Sequence, residues 1–249
     1  MNAIRRQRLA ILVLASGLVA CATAGGLPAP GECNAAPDAS RSQYIIGYGS
    51  LMQEESRKRT SPRAGPAHPV EIKGYRRGWF ARPETVSFST TFLGIRPDRD
   101  SHLNAVIYQV DAAELRATDK REASYCRESV ASPDIKALEG NSFPAPDGQA
   151  WIYVNKPDRV GAPDSRYPIV QSYVDIFLSG CLEQEQRFGL PEFSRECLST
   201  TSDWSEHWVN DRIHPRRPFV HQPRAGQIDN LLARQLPEYF SHIRIEGGS

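Results

Sequence analysis

Six short segments rich in β-branched and aromatic residues (43–48, 70–80, 86–95, 103–110, 125–131 and 149–155) succeed one another with loops between them. That succession limits the fold more than any other feature, because such runs are strands seeking a common sheet. Helical signals come among and after them. Asp111-Ala-Ala-Glu114 combines an N-cap carboxylate with a glutamate three residues on, so a first helix is expected to start at Asp111. Ile169, Tyr173, Ile176, Phe177, Gly180 and Cys181 recur at helical spacing and predict a long helix over 168–188, opened by Pro168 and stopped by Gly189. That stripe is read as core-facing. A short helix near 191–198 and an amphipathic one over 226–236, presenting Ile228, Leu231, Leu232 and Leu236, complete the pattern. Strands predominate early and helices late, which implies an α+β fold with a mixed, partly closed sheet flanked by helices.

The first twenty residues read as a signal peptide. Arg5, Arg6 and Arg8 precede an apolar run over 9–19, too short to span a bilayer, which needs about 20 apolar residues. Leu18-Val19-Ala20-Cys21 resembles the lipobox of bacterial lipoproteins, in which the cysteine becomes the lipidated first residue. Ordinary secretory cleavage nearby is the competing reading. Both make the mature chain an exported one, and the first places it in the periplasm or cell envelope, tied to the membrane through Cys21. Residues 21–42, rich in Gly, Pro, Ala and Ser, read as a tether, residues 43–198 as one domain, and residues 199–249 as an arm and helix packed on it. Trp204 and Trp208 are the expected packing residues of that arm.

The formal charge of the 249-residue chain is +1, and loss of the three leader arginines makes it −2. No basic tract is interleaved with aromatics, so nucleic acid is not an expected partner. Setting Cys21 aside leaves Cys33, Cys126, Cys181 and Cys197, an even number for an oxidising compartment. A Cys181–Cys197 bridge would tie the long helix to the segment after it, which leaves Cys33 with Cys126. Four free thiols are the alternative.

Most classes of active site are excluded by pattern. Ser50 lacks the spacing of a nucleophile elbow, no glycine-rich nucleotide loop is present, and the six histidines are scattered without helical metal-site spacing. Neither a metal nor a cofactor is expected. What remains is Tyr44-Ile-Ile-Gly-Tyr-Gly-Ser-Leu51, a strand running into a turn with two glycines, and Glu122 at the junction of the first helix with the strand of Tyr125. A partly desolvated carboxyl has its pKa raised toward neutrality and becomes a competent general base or acid. The competing reading is a solvated glutamate paired with Arg121 or Lys120.

Several pieces in order resemble the gamma-glutamylcyclotransferase family. Tyr48-Gly-Ser-Leu51 is similar to its signature loop, and Arg121-Glu122 before Tyr125 to the segment with its catalytic glutamate. Between them lie Gly74-Tyr-Arg-Arg77, Thr91-Phe-Leu-Gly-Ile95 and Leu103-Asn-Ala-Val-Ile-Tyr108; Pro163–Tyr167, Gly180 and Gly189-Leu-Pro-Glu-Phe193 follow. Phe193 stands where many relatives carry Tyr, and Cys181 where Ala is usual. The resemblance covers about residues 43–195. It implies a small γ-glutamyl substrate cyclised to 5-oxoproline without a cofactor. Glu122 would carry the proton, and Tyr48, Gly49, Ser50 and Leu51 would hold the substrate. Tyr125 and Tyr153 would supply hydroxyls nearby, unless they are core packing. Arg212, Arg216 and Arg217 of the arm would read a second carboxylate, unless they are solvated. The alternatives are a non-catalytic binding or scaffold lipoprotein of the same fold, and an enzyme removing a γ-glutamyl tag from a larger acceptor.

Overall fold

A computed structural model describes residues 33–82, 89–138, 148–217 and 224–246. The expected signal peptide, Cys21, most of the tether and the start of the 86–95 strand lie outside the described residues. In chain order the elements are β1 (Gln43–Gly47), α1 (Glu54–Lys58), β2 (His68–Ala81), β3 (Phe92–Val110), α2 (Ala112–Arg121), β4 (Tyr125–Val130) and β5 (Ile135–Ala137). Then come β6 (Gln149–Asn155), β7 (Ile169–Val170), α3 (Gln171–Phe188), α4 (Phe193–Ser199), β8 (Thr201–Ser202), β9 (Trp208–Asn210), α5 (Ala225–Gln235), α6 (Pro237–Phe240) and β10 (Arg244–Ile245).

The main sheet runs β4-β6-β1-β3-β2-β5, with β8 also paired to β2. It is mixed: β1 is parallel to β6 and β8 to β2, while the other pairs are antiparallel. The sheet has a core on each face. On one, Trp79, Leu93, Tyr108 and Trp151 pack with Phe177, Leu178, Phe193 and Ile228 from the helices. On the other, every buried member comes from β1 to β6 or from Tyr48 just after β1. Residues such as Ile46, Ile72, Ile107 and Ile152 are fully or almost fully covered there although that cluster contains no helix. The sheet is curled over that face as a half-barrel. The α+β reading with a partly closed mixed sheet and flanking helices is therefore what the molecule adopts.

Two boundaries differ from the sequence expectation. Residues 92–95 of the strand expected over 86–95 and the whole of the one expected over 103–110 are parts of the single strand β3, which pairs with β2 from Ala81↔Phe92 to His68↔Ile107, while 89–91 are not strand. Its polar middle, 96–102, is largely exposed, so backbone pairing rather than burial keeps it extended. A register shift between Lys73 and Tyr75 coincides with Gly74 at φ 83°, a conformation glycine tolerates best. The long helix starts at Gln171 rather than at Pro168, because Ile169 and Val170 are drawn into β7, parallel to β9. Its end is as expected: Gly189 closes it at φ 64°.

Both disulfides of the favoured pairing are formed. Cys181–Cys197 joins α3 to α4 with Cα atoms 6.6 Å apart, and Cys33–Cys126 ties the chain before β1 to β4 at 4.8 Å. The C-terminal segment is held by β8, by the β7-β9-β10 sheet and by stacking of Trp204 on Trp208 at 5.3 Å. Among the described residues, no helix is long and apolar enough to cross a membrane.

Candidate functional site

The register of three strands decides what meets at one end of the sheet. Because β1 and β6 are parallel, Gly47 and Tyr153 emerge at the same end. Because β4 is antiparallel to β6, with Tyr125 opposite Asn155, the start of β4 lies there too. Glu122, three residues before β4, is thus brought beside the turn that follows β1.

That turn needs its small residues for close approach. A Cβ on Gly47 would stand 2.9 Å from Leu51 Cβ, and one on Gly49 would stand 3.0 Å from the Tyr173 hydroxyl. Ser50–Met52 then forms a single 3₁₀ turn. The turn is held from outside as well. Gly180 of α3 lies so close to Met52 and Gln53 that a Cβ would come within 2.6–2.7 Å of their backbone atoms. The Tyr48 hydroxyl donates to the Tyr153 carbonyl (2.6 Å), and the Tyr48 carbonyl accepts from Arg77 Nη1 (3.0 Å). Arg77 is completely buried.

Glu122 caps the C-terminal end of α2. The helix is fixed at its other end by the expected capping box of Asp111 and Glu114. The Glu122 carboxyl is only 16% exposed and pairs with Arg121 Nε at 3.1 Å. Burial raises its pKa, and the neighbouring cations Arg121 and then Arg217 oppose that rise. The glutamate is paired with Arg121, as the competing reading had it, but not solvated. Arg121 has further partners: it donates to the Ser56 carbonyl (2.7 Å), to Thr60 Oγ1 (3.1 Å) and to the hydroxyls of Ser56 (3.0 Å) and Ser50 (3.1 Å). Ser50 in turn lies beside the Tyr173 hydroxyl, whose pKa burial raises and Ser50 helps to lower. One arginine therefore joins the carboxyl to the turn.

Tyr48, Gly49, Ser50, Leu51, Leu93, Glu122, Tyr125, Tyr153 and Tyr173 line a narrow recess with about 20 Å³ of space for water. All seven residues singled out from the sequence as catalytic or substrate-binding candidates are on its wall. Besides Tyr48, the other two tyrosines among them have engaged hydroxyls: Tyr125 donates to the Leu93 carbonyl (2.9 Å) and Tyr153 to Asp119 Oδ1 (2.8 Å). Burial raises both phenols, so they stay protonated at neutral pH. Leu93 and Tyr173 were not anticipated. Tyr173 belongs to the helical stripe read as core, and its ring does pack edge-on against Trp79 and Phe92, while its hydroxyl reaches the turn. Leu93 sits in the Thr91–Ile95 segment, where nothing in the pattern separates a wall residue from a core one. The expected arm arginines diverge: Arg212 binds Asp175 and Asp229, Arg216 binds Glu246 and Ser89, and Arg217 lies over Phe92 and Tyr173. Among the described residues no three His, Cys, Asp or Glu side chains converge as metal ligands would.

An acid with a raised pKa beside a turn of small residues suits proton transfer to and from a substrate held by backbone N–H groups. The profile of the family described as "Gamma-glutamyl cyclotransferase, AIG2-like" matches residues 45–172. No curated protein matches the chain. Among solved structures, one described as a gamma-glutamyl cyclotransferase is 13% identical, with 78% of this chain and 99% of that one covered and a TM-score of 0.49. A Homo sapiens protein described as uncharacterized (loc79017) is 16% identical, with 66% and 92% covered and a TM-score of 0.49. A yeast gamma-glutamyl cyclotransferase described as specific to glutathione is 13% identical, with 64% and 97% covered and a TM-score of 0.36.

Proposed function

The chain belongs to the AIG2-like gamma-glutamyl cyclotransferase family, and on that footing we propose that it cyclises a γ-glutamyl group to 5-oxoproline, with Glu122 as the proton carrier. The observation that carries this reading is the sheltered Glu122 carboxyl, tied through Arg121 to Ser50 in the same recess as the Tyr48–Leu51 turn. The substrate α-amine loses a proton to Glu122 and its nitrogen attacks the γ-carbonyl carbon, closing a five-membered ring. The bond from that carbon to the leaving nitrogen breaks, and Glu122 returns a proton to the departing amine. A raised pKa suits both transfers, because the group must accept and then release.

The attack is intramolecular, so holding the glutamyl chain folded supplies much of the catalysis. Backbone N–H groups of the turn would receive the substrate's α-carboxylate or the oxyanion formed at the γ-carbonyl; a single such donor typically contributes about 3–4 kcal/mol to the barrier. The test is release of 5-oxoproline from γ-glutamyl dipeptides, γ-glutamyl-lysine and glutathione. Glu122→Gln is expected to lower kcat by about 10²–10⁴-fold with the fold retained by circular dichroism. Equal turnover by that variant would sink the assignment. Absence of release from every substrate would favour a binding lipoprotein instead.

Export with a lipid anchor on Cys21 is part of the same proposal, supported by the leader pattern and consistent with two formed disulfides. Mass spectrometry of the mature N-terminus is expected to find a modified Cys21; an unmodified terminus elsewhere would refute it.

A further inference from the structure

The three arginines that close the C-terminal segment are chemically alike and differently engaged. Arg212 spends its fork on two carboxylates, with bonds of 2.7–2.9 Å to Asp175 and Asp229. Arg216 is bound to the Glu246 carboxylate and to Ser89. Arg217 is different. Its backbone N–H donates to Ser172 Oγ at 3.2 Å, but its guanidinium makes no hydrogen bond with any described residue, and Nε is shut off from water. The guanidinium carbon sits 5.5 Å from the Phe92 ring centre and 6.0 Å from that of Tyr173. Its charge is felt by Glu122, Tyr125 and Tyr173, all on the recess wall.

A guanidinium carries five N–H donors in a planar fork that matches a carboxylate. Holding one in a partly desolvated place with no protein acceptor among the described residues, and with Nε out of reach of water, is costly unless something arrives to accept those donors. The other cation at the recess, Arg121, has no such vacancy, because Ser50, Ser56, Thr60 and Glu122 already take its donors. Position narrows the acceptor further. The Tyr173 hydroxyl touches the turn at Gly49 and Ser50, whereas Arg217 lies over the rings of Tyr173 and Phe92. The aromatic pair thus stands between Arg217 and the turn proposed to hold the glutamyl head. Arg217 also lies outside residues 45–172, the span that carries the family match.

We propose that Arg217 is a specificity-determining residue which binds a carboxylate on the leaving amine, so that the substrates are γ-glutamyl derivatives of amino acids rather than of neutral amines. This deepens the cyclisation reading and rests on it.

The experiment compares γ-glutamyl-alanine with γ-glutamyl-alaninamide, which differ only in that carboxylate. The mature protein is expected to favour the acid in kcat/KM, mainly through KM. Arg217→Gln is expected to shrink the acid-to-amide ratio by about 10- to 100-fold, the range for a lost charged hydrogen bond. Arg217→Lys, which keeps charge but not the fork, is expected to fall between. A ratio that does not change, or an equal loss on both compounds, would overturn the proposal; the second result would place Arg217 on the glutamyl head. Should neither these compounds nor any other γ-glutamyl substrate tested release 5-oxoproline, the cyclisation reading fails and calorimetric titration decides the role of Arg217 separately. Tighter binding of the acid that disappears in Arg217→Gln supports it, and equal binding of both or binding of neither overturns it.

Discussion

Two arginines lie near the Tyr48–Leu51 turn, one bonded to it from behind and one beyond the Tyr173 and Phe92 rings. Behind it, Arg77 is sealed in the interior and uses every part of its fork: Nε donates to Thr201 Oγ1, Nη1 to the carbonyls of Tyr48 and Asn104, and Nη2 to Asn104 Oδ1, the Cys197 carbonyl and Thr200 Oγ1. Over the Phe92 and Tyr173 rings, the Arg217 guanidinium has no hydrogen bond among the described residues. Burial penalises both charges, pushing Arg77 down to about 9 and lowering Arg217, yet only the first is compensated by hydrogen bonds. The contrast shows that burial does not distinguish a structural arginine from a ligand-reading one. The unused donors do. Arg77 stitches β2, β3, the turn and the α4–β8 corner into one piece, which makes the turn a rigid cradle. Arg217 lies over the rings of Tyr173 and Phe92, beyond the recess wall, with no protein acceptor for its guanidinium among the described residues.

The largest effect expected to test the contrast is on stability. Arg77→Met should lower the unfolding free energy by about 3 kcal/mol, because several buried acceptors lose their donor at once. Arg217→Gln should change it by less than about 0.5 kcal/mol. Urea midpoints measure both, and similar losses for the two variants would break the distinction.

The smallest effect is on pH dependence. Burial raises the folded-state pKa of Glu122, so the proton-accepting carboxylate is populated only above the ordinary glutamate range. The acid limb of kcat/KM should lie correspondingly high. Arg217 pulls that pKa down, so Arg217→Gln should move the limb further up, whereas a variant far from the recess should not. The sign for stability is opposite to that for a salt-bridged carboxylate. A raised folded-state pKa means that the favourable contribution of Glu122 is present below its unfolded value and lost as pH rises through the folded one. Wild type should therefore lose stability relative to Glu122→Gln across that window.

Much of this could be read along the chain. Strands over 43–48, 125–131 and 149–155 agree with β1, β4 and β6 to within a residue, because alternating and β-branched residues report local burial. The Asp111 cap and the Gly189 stop are also local chemistry, and both are as expected. The failures are all non-local. The polar run 96–102 carries no strand signal, since only its pairing with β2 keeps it extended. Ile169 and Val170 fit a helical stripe, but β9 recruits them from some forty residues away. Tyr173 obeys the stripe that marks core, and its ring satisfies it; only its last atom belongs to the site.

The sequence by itself settled the types of element, the two-glycine turn, an even number of cysteines and the glutamate at a helix-to-strand junction, because each follows from neighbouring residues or from simple parity. Tertiary structure alone decided that Glu122 is sheltered, that Arg121 reaches Ser50, and that of three similar arginines one lies over the aromatic pair without a hydrogen bond from its guanidinium among the described residues. Desolvation and hydrogen-bond saturation are sums over atoms far apart in the chain. No local pattern encodes such a sum; it exists only once the half-barrel has closed and α3 has pressed Gly180 against the turn.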